Sequence, residues 1–346
     1  MAGIGIIGLG RVGRCLLRVL ASRGLLGQVR AVAELNPGGR DNRVLTENLA
    51  YLLAADSTYG PFPVQVESAG VSLVLDGRAI PVHYNPHPQQ VDWAGAGAQI
   101  VVEASGDPQA TAEARGLLSQ GVSKVLFTRS AATADATLIR GLNLDDYDPQ
   151  AHRLVSCSTC TANALAPVLG VLHRAYRVRR GSILSVHPAL SGDTLLDAPS
   201  REFAAGRSAL GVRAVTSQVA RTVGQVLPDL AGRLTAMSLR VPTQVVNALV
   251  ADLVLDAPPP DKTEVEALLE QAVNHGPLAG VAALERGIMG RPRAAADFKG
   301  DPHSALIDLN WLALSGELLR IHLWHDNEYA YCCRVADTLE LILSRL

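Results

Sequence analysis

Two side chains in this sequence carry the makings of covalent chemistry: a thiol placed where a helix begins and an imidazole placed where a strand ends. The stretch Leu154–Pro167, LVSCSTCTANALAP, reads as a short strand, a turn and the first turns of a helix, with Cys160 at the junction. Thr159 and Thr161 are suited to cap that helix, and a thiol at a helix N-terminus meets partial positive charge that favours the thiolate. A thiolate there is a nucleophile, and its partner is expected to be His187, 27 positions later (187 − 160), where the strand-like run SerIleLeuSerValHis meets Pro188.

Residue type alone does not single out Cys160, because free cysteines are most often buried, inert small hydrophobes. The other four cysteines stand at 15, 157, 332 and 333. Cys157 and Cys160 form a CxxC without a second pair at zinc-site spacing, so no metal is expected. A redox dithiol is the alternative use of that pair, though the thioredoxin-like context of such a motif is missing.

The elements that must position this pair begin at the N-terminus. An apolar strand precedes Gly8-x-Gly10-x-x-Gly13, and a helix follows in which Val12, Leu16, Val19 and Leu20 recur at helical spacing. A second strand, ValArgAlaValAlaGluLeuAsn, ends near Asn36. That order is the dinucleotide-binding arrangement, in which glycines admit a pyrophosphate to a helix N-terminus. Glu34 shares a strand face with Asn36 and is a substitute acid or a residue turned into a neighbouring loop.

Short strands meet in a turn at Asp76-Gly77, and buried strands are expected at 100–106, ending in Ser105-Gly106, and at 124–128. The alternation predicts an α/β fold, with a Rossmann-type doubly wound parallel sheet in a domain over 1–159, completed by a C-terminal helix at 328–346. Longer strands over 181–255, a helix starting near Thr216 and a hairpin through Ser315-Gly316 predict an α+β catalytic domain over 160–327 with a largely antiparallel sheet. A Pro-marked turn at 257–261 leads into a capped helix.

A chain of 346 residues, 48% hydrophobic and with net charge −2, has the composition of a globular protein of two domains. Its only basic run, at 177–180, is too short for a nucleic-acid surface, and no charge-driven partner is implied. The apolar run Ile4–Leu9 is far too short for a membrane helix, no signal-like leader is evident, and a reducing, cytoplasmic compartment is expected.

Six ordered segments resemble the glyceraldehyde-3-phosphate dehydrogenase family: GlyLeuGlyArgValGlyArg at 8–14, AspSerThrTyrGly at 56–60, the Cys160 stretch, His187, LeuArgValProThr at 239–243 and TrpHisAspAsnGluTyrAlaTyr at 324–331. The resemblance implies that Cys160 attacks an aldehyde carbon and that His187 holds the thiolate and moves the proton. It assigns cofactor binding to Gly8, Gly10, Arg11, Val12, Gly13, Asn36, Ser105, Gly106, Thr128 and Asn327, the last against the nicotinamide carboxamide. Arg240 matches a phosphate-binding arginine, and Thr159, Thr161, Thr216 and Ser217 fall on or beside anion-binding positions. NAD is the implied cofactor, and a phosphorylated aldehyde and inorganic phosphate are the implied partners, in a homotetramer.

The chain departs from that pattern at several places. Asn36 stands where the ribose-binding Asp is expected, and with Arg40 and Arg43 nearby it leaves NADP open alongside NAD. Ile7 replaces an Asn, Ala162 a Thr beside the nucleophile, Leu190 a substrate-phosphate Thr, and Ser217 a Gly; the segment 193–216 is about three residues short. LysValLeuPheThr with AspAlaThr at 135–137, and AspProHisSerAla at 301–305, are closer to the erythrose-4-phosphate dehydrogenase branch, which mostly hydrolyses its thioester. A weakly active paralogue with a binding or regulatory role is the alternative from another class.

Overall fold

The computed structural model describes residues 2–36, 38–84, 87, 90–190, 192–200 and 203–346, and the chain divides into two compact units. The first comprises 1–138, 145–158 and 332–346; the second comprises 139–144 and 159–331. The short return of 139–144 to the second unit has no signature in the linear pattern.

In the first unit, strand β1 (Gly3–Ile7) is buried throughout and leads through the glycine loop into α1 (Arg11–Ser22), whose buried face is Leu16, Leu17, Val19 and Leu20. Strand β2 (Val29–Glu34) stops two residues before Asn36, and α2 (Asn42–Ala54) is capped by Asp41, which accepts from the Arg43 N–H. AspSerThrTyrGly falls in a tight antiparallel pair, β3 (Ala55–Asp56) and β4 (Gly60–Pro61). Strands β5 (Val66–Ala69), β6 (Ser72–Leu75) and β7 (Arg78–Tyr84) form a meander. The β6–β7 turn takes positive φ at both Asp76 and Gly77, the geometry that matches the twist of a two-residue hairpin.

Strand β8 (Ala98–Glu103), helix α3 (Pro108–Glu113), and strands β9 (Lys124–Phe127), β10 (Ala136–Thr137) and β11 (Leu154–Ser156) complete the unit up to the active-site turn. Among the described residues nine strands form one sheet in the order β10-β11-β9-β8-β1-β2-β7-β6-β5, parallel from β10 through β7. The chain leaves β1 on one side for β2 and is met on the other by β8, which opens a crevice at the strands' carboxyl ends.

The second unit opens with α4 (Cys160–Tyr176), capped by Thr159, whose Oγ1 accepts from the Ala162 N–H at 3.2 Å. The helix is buried along most of its length and packs Leu165, Leu169 and Leu172 into a core shared with Ile183, Leu249, Leu253 and Leu323. Around it lie β12 (Val178–Pro188), β13 (Arg213–Thr216), α5 (Val219–Val226), β14 (Leu234–Val241), β15 (Asn247–Leu255), α6 (Lys262–His275), β16 (Ala282–Glu285), β17 (Ala305–Asp308), β18 (Ala313–Ser315) and β19 (Leu318–His325).

The sheet order is β13-β14-β12-β15-β19-β17-β16, with β18 paired to β19. Among the described residues only the β12–β14 and β16–β17 pairs of this sheet are parallel. Strict alternation of buried and half-buried residues along β15 sets which side chains face the core.

Three boundaries differ from expectation. Thr216 ends a strand and the helix begins at Val219; the β18–β19 turn is Gly316-Glu317; and the final helix α7 runs Tyr329–Ser344. From Cys332 onward α7 belongs to the first unit, tied there by Arg23 to Asp337 (2.8 Å) and Glu340 (3.0 Å). Within the segment 193–216, Arg201 and Glu202 lie outside the described residues. Among the described residues no helix is long and apolar enough to cross a membrane.

Candidate active site

Cys160 is the first residue of α4, and Ser158, just before the cap, takes a left-handed φ of 62° to turn the chain from β11 into the helix. Its Sγ lies 4.0 Å from His187 Nε2 and 3.8 Å from the Thr161 hydroxyl. His187, at the end of β12, places its Nδ1 2.8 Å from the Pro188 carbonyl oxygen, which fixes the tautomer: Nδ1–H donates and Nε2 is left bare toward the sulfur.

Arg240 of β14 stands beside His187 in the parallel register. Burial, reinforced by the Arg240 charge, pushes the imidazole down to about 4. Burial also raises the Cys160 thiol, against the lowering influence of the Thr161 hydroxyl and N–H and of Arg240. Burial thus opposes the thiolate that the helix start favours, and His187 Nε2 stands where it can take the thiol proton, a nucleophile with its base in place.

The pair opens onto a cavity of about 230 Å³. Every anion-site candidate, Thr159, Thr161, Thr216, Ser217 and Arg240, lines it. So do Ser185 and Ser238, brought in by the register of β12 on β14, and Gln218, which follows Ser217 at the start of α5; the sequence singled out none of the three. Ser185 also starts a buried chain: its hydroxyl donates to Asn247 Oδ1 (3.1 Å), and Asn247 Nδ2 donates to His325 Nε2 (3.1 Å), so His325 is neutral as well. Two helix starts, at Cys160 and Val219, border the cavity and add N–H groups suited to an oxyanion.

Asn327 is buried in the second unit, and its Oδ1 has no hydrogen-bond partner among the described residues, an acceptor left for a ligand N–H.

In the first unit the cofactor candidates gather at the carboxyl ends of neighbouring parallel strands. A Cβ on Gly8, whose φ is +88°, would fall 2.6 Å from Ser105 Cα, and one on Gly13 would fall 2.0 Å from the Gly8 carbonyl oxygen, whereas Gly10 faces open space. That is a cradle only glycines permit, with α1 directly behind it, and it fits a pyrophosphate. Arg11 donates to the Thr58 hydroxyl, and the Val12 carbonyl accepts from the Cys332 thiol. Ser105 bonds buried Glu103, Gly106 accepts from Arg129, and Thr128 bonds the Glu103 carbonyl.

Asn36 is occupied elsewhere: its carboxamide bonds the Arg40 backbone and Asn42, closing its own exposed loop. The acid at the end of β2 is Glu34, whose Oε2 accepts from the Leu9 N–H of the glycine loop and Oε1 from Leu35 N–H. Its spacing, 21 residues beyond Gly13 (34 − 13), is the signal that points to it. Among the described residues no group of three or more His, Cys, Asp or Glu side chains is placed to hold a metal ion.

Residues 2–111 match the model of the glyceraldehyde 3-phosphate dehydrogenase NAD binding domain, and residues 159–327 match that of the C-terminal domain. The chain is 36% identical over its whole length to the whole of the glyceraldehyde-3-phosphate dehydrogenase of Kitasatospora aureofaciens. It is 33% identical to that of Geobacillus stearothermophilus, covering 99% of this chain and 98% of the relative. To the testis-specific enzyme of Rattus norvegicus it is 34% identical, over 99% of this chain and 76% of that one.

Proposed function

Because the chain belongs to the glyceraldehyde-3-phosphate dehydrogenase family and is an NAD-dependent oxidoreductase of that type, we propose that it oxidises glyceraldehyde 3-phosphate with inorganic phosphate as acyl acceptor. The observation that carries this reading is the bare His187 Nε2 facing Cys160 Sγ at 4.0 Å in a cavity that also holds Arg240 and the four hydroxyl candidates.

Cys160 Sγ adds to the aldehyde carbon while His187 Nε2 takes the thiol proton; the new alkoxide recovers that proton, giving a thiohemiacetal. NAD, when bound, accepts the hydride that leaves this carbon. His187 takes the hydroxyl proton as the carbon–oxygen double bond reforms, leaving a thioester. Phosphate, held by hydroxyls, helix N–H groups and Arg240, then attacks the acyl carbon and the sulfur departs. When NAD is bound, Gly8, Gly10 and Gly13 would hold its pyrophosphate and Glu34 its ribose hydroxyls, and Asn327 would offer its bare Oδ1 to the carboxamide.

The test follows reduced-cofactor formation from glyceraldehyde 3-phosphate and from erythrose 4-phosphate, each with and without phosphate or arsenate. A rate that requires either anion and favours the triose is expected. Indifference to both anions with the tetrose preferred establishes the second reading, hydrolytic erythrose 4-phosphate oxidation, which Ala162 and Leu190 favour because each lacks a hydroxyl. No turnover with either aldehyde leaves the binding or regulatory role.

Glu34 yields a separate expectation. Glu34→Gln should raise the KM for NAD about 10- to 100-fold, the loss of one charged hydrogen bond, with kcat nearly unchanged. Asn36→Asp should leave NAD binding within about threefold, since that side chain serves its own loop. The reverse ranking in initial-rate assays would return the ribose to Asn36. The free state of all five cysteines accords with a cytoplasmic location, and family membership with a homotetramer.

A further inference from the structure

Beside the catalytic cavity, Arg240 also lines a second, smaller pocket together with Arg207, Ser208, Asp193 and Arg213. Arg213 and Arg240 are directly opposed across the antiparallel β13–β14 pair, so two guanidinium groups share one face of the sheet. Nη1 of each is buried and has no hydrogen-bond partner among the described residues. Like charges placed opposite one another, each with an unmatched buried donor, are unfavourable unless an anion joins them.

The local carboxylate does not do so. Asp193 accepts from Arg213 Nη2 with one oxygen and from the Leu190 N–H (2.8 Å) with the other, leaving both Nη1 groups unmet. Its charge cancels one of the two, and exposed Arg207, itself 3.4 Å from Asp197, stands at the rim. A planar guanidinium pair matches the several oxygens of a phosphate monoester far better than a single carboxylate or a neutral sugar.

We propose that Arg213 and Arg240 together form the subsite for the substrate's own phosphate monoester, with Arg213 the specificity-determining residue. The inference rests on the phosphorylated-aldehyde reading and deepens it. Arg213 then takes over recognition that the aliphatic side chain of Leu190 is unable to supply, and Arg240 links the monoester to the cavity in which Cys160 waits.

Calorimetric titration with glycerol 3-phosphate, an unreactive monoester, needs no turnover. Arg213→Met should weaken its binding about 10- to 100-fold, and Arg213→Lys should weaken it less. In assays, Arg213→Met should raise the KM for glyceraldehyde 3-phosphate by a similar factor. The same variant should leave kcat, the activity toward unphosphorylated glyceraldehyde and the KM for inorganic phosphate within about threefold, which also shows that it is folded.

Unchanged monoester binding in Arg213→Met, or none to the unsubstituted protein, overturns the proposal. So does a raised KM for inorganic phosphate alone, which assigns the pocket to the attacking phosphate. Monoester binding that depends on Arg213 in a protein producing no reduced cofactor upholds the subsite and overturns the assigned reaction instead.

Discussion

Cys160→Ser is expected to lower NADH formation by about 10⁴-fold or more, because an alcohol is a far weaker nucleophile at neutral pH and gives an oxygen ester in place of a thioester. Cys157→Ser, three residues earlier, should change the rate by less than about threefold. Burial pushes the Cys157 thiol up to about 12, so it supplies no thiolate near neutrality, whereas Cys160 is only partly buried and opens onto the cavity beside a base. Iodoacetamide should accordingly label Cys160 well ahead of Cys15, Cys157, Cys332 and Cys333, four buried thiols, when the labelled peptides are followed by mass spectrometry. Equal damage from the two substitutions would show that the nucleophile is misassigned or that the two cysteines act as a dithiol.

The contrast between these thiols shows what a linear sequence conveys and what it withholds. The strand, cap and helix around Cys160 were legible because they are local: Thr159 caps α4, and the glycine spacing between β1 and α1 announces a cradle. The parallel sheet followed from strands alternating with helices. Register was not legible, and the unexpected site residues entered through it. Ser185 and Ser238 reach the cavity from neighbouring strands, and Arg213 meets Arg240 only because β13 folds back on β14.

Between the two residues that the sequence offers at this strand end, Asn36 and the substitute acid Glu34, the linear pattern does not choose: β2 stops at Glu34, two residues before Asn36, and the glutamate is the one that meets the glycine loop. Charge state was equally hidden. The helix start at Cys160 favours a thiolate, and the burial that opposes it is a property of the packed core and not of the motif.

That burial makes the second large prediction one about pH. His187→Asn removes the base while keeping a polar side chain of similar reach, and turnover should fall by about 10²- to 10⁴-fold. With the imidazole at about 4, His187 Nε2 is unprotonated through the neutral range, so the wild-type kcat/KM should hold level as pH falls from 7 to 5. It should then decline only as pH passes through about 4 and the base gains its proton. In the variant no nitrogen receives the thiol proton, and attack waits on ionisation of a thiol that burial has raised above its ordinary range. Its rate should therefore climb about tenfold per pH unit on the alkaline side, where the wild type has no such slope. Initial rates from pH 4 to 10 test both limbs. A wild-type acid limb near pH 6 to 7 that vanishes in His187→Asn would mean that the pair rests as thiolate and imidazolium, with the helix start and Arg240 overcoming burial at the sulfur.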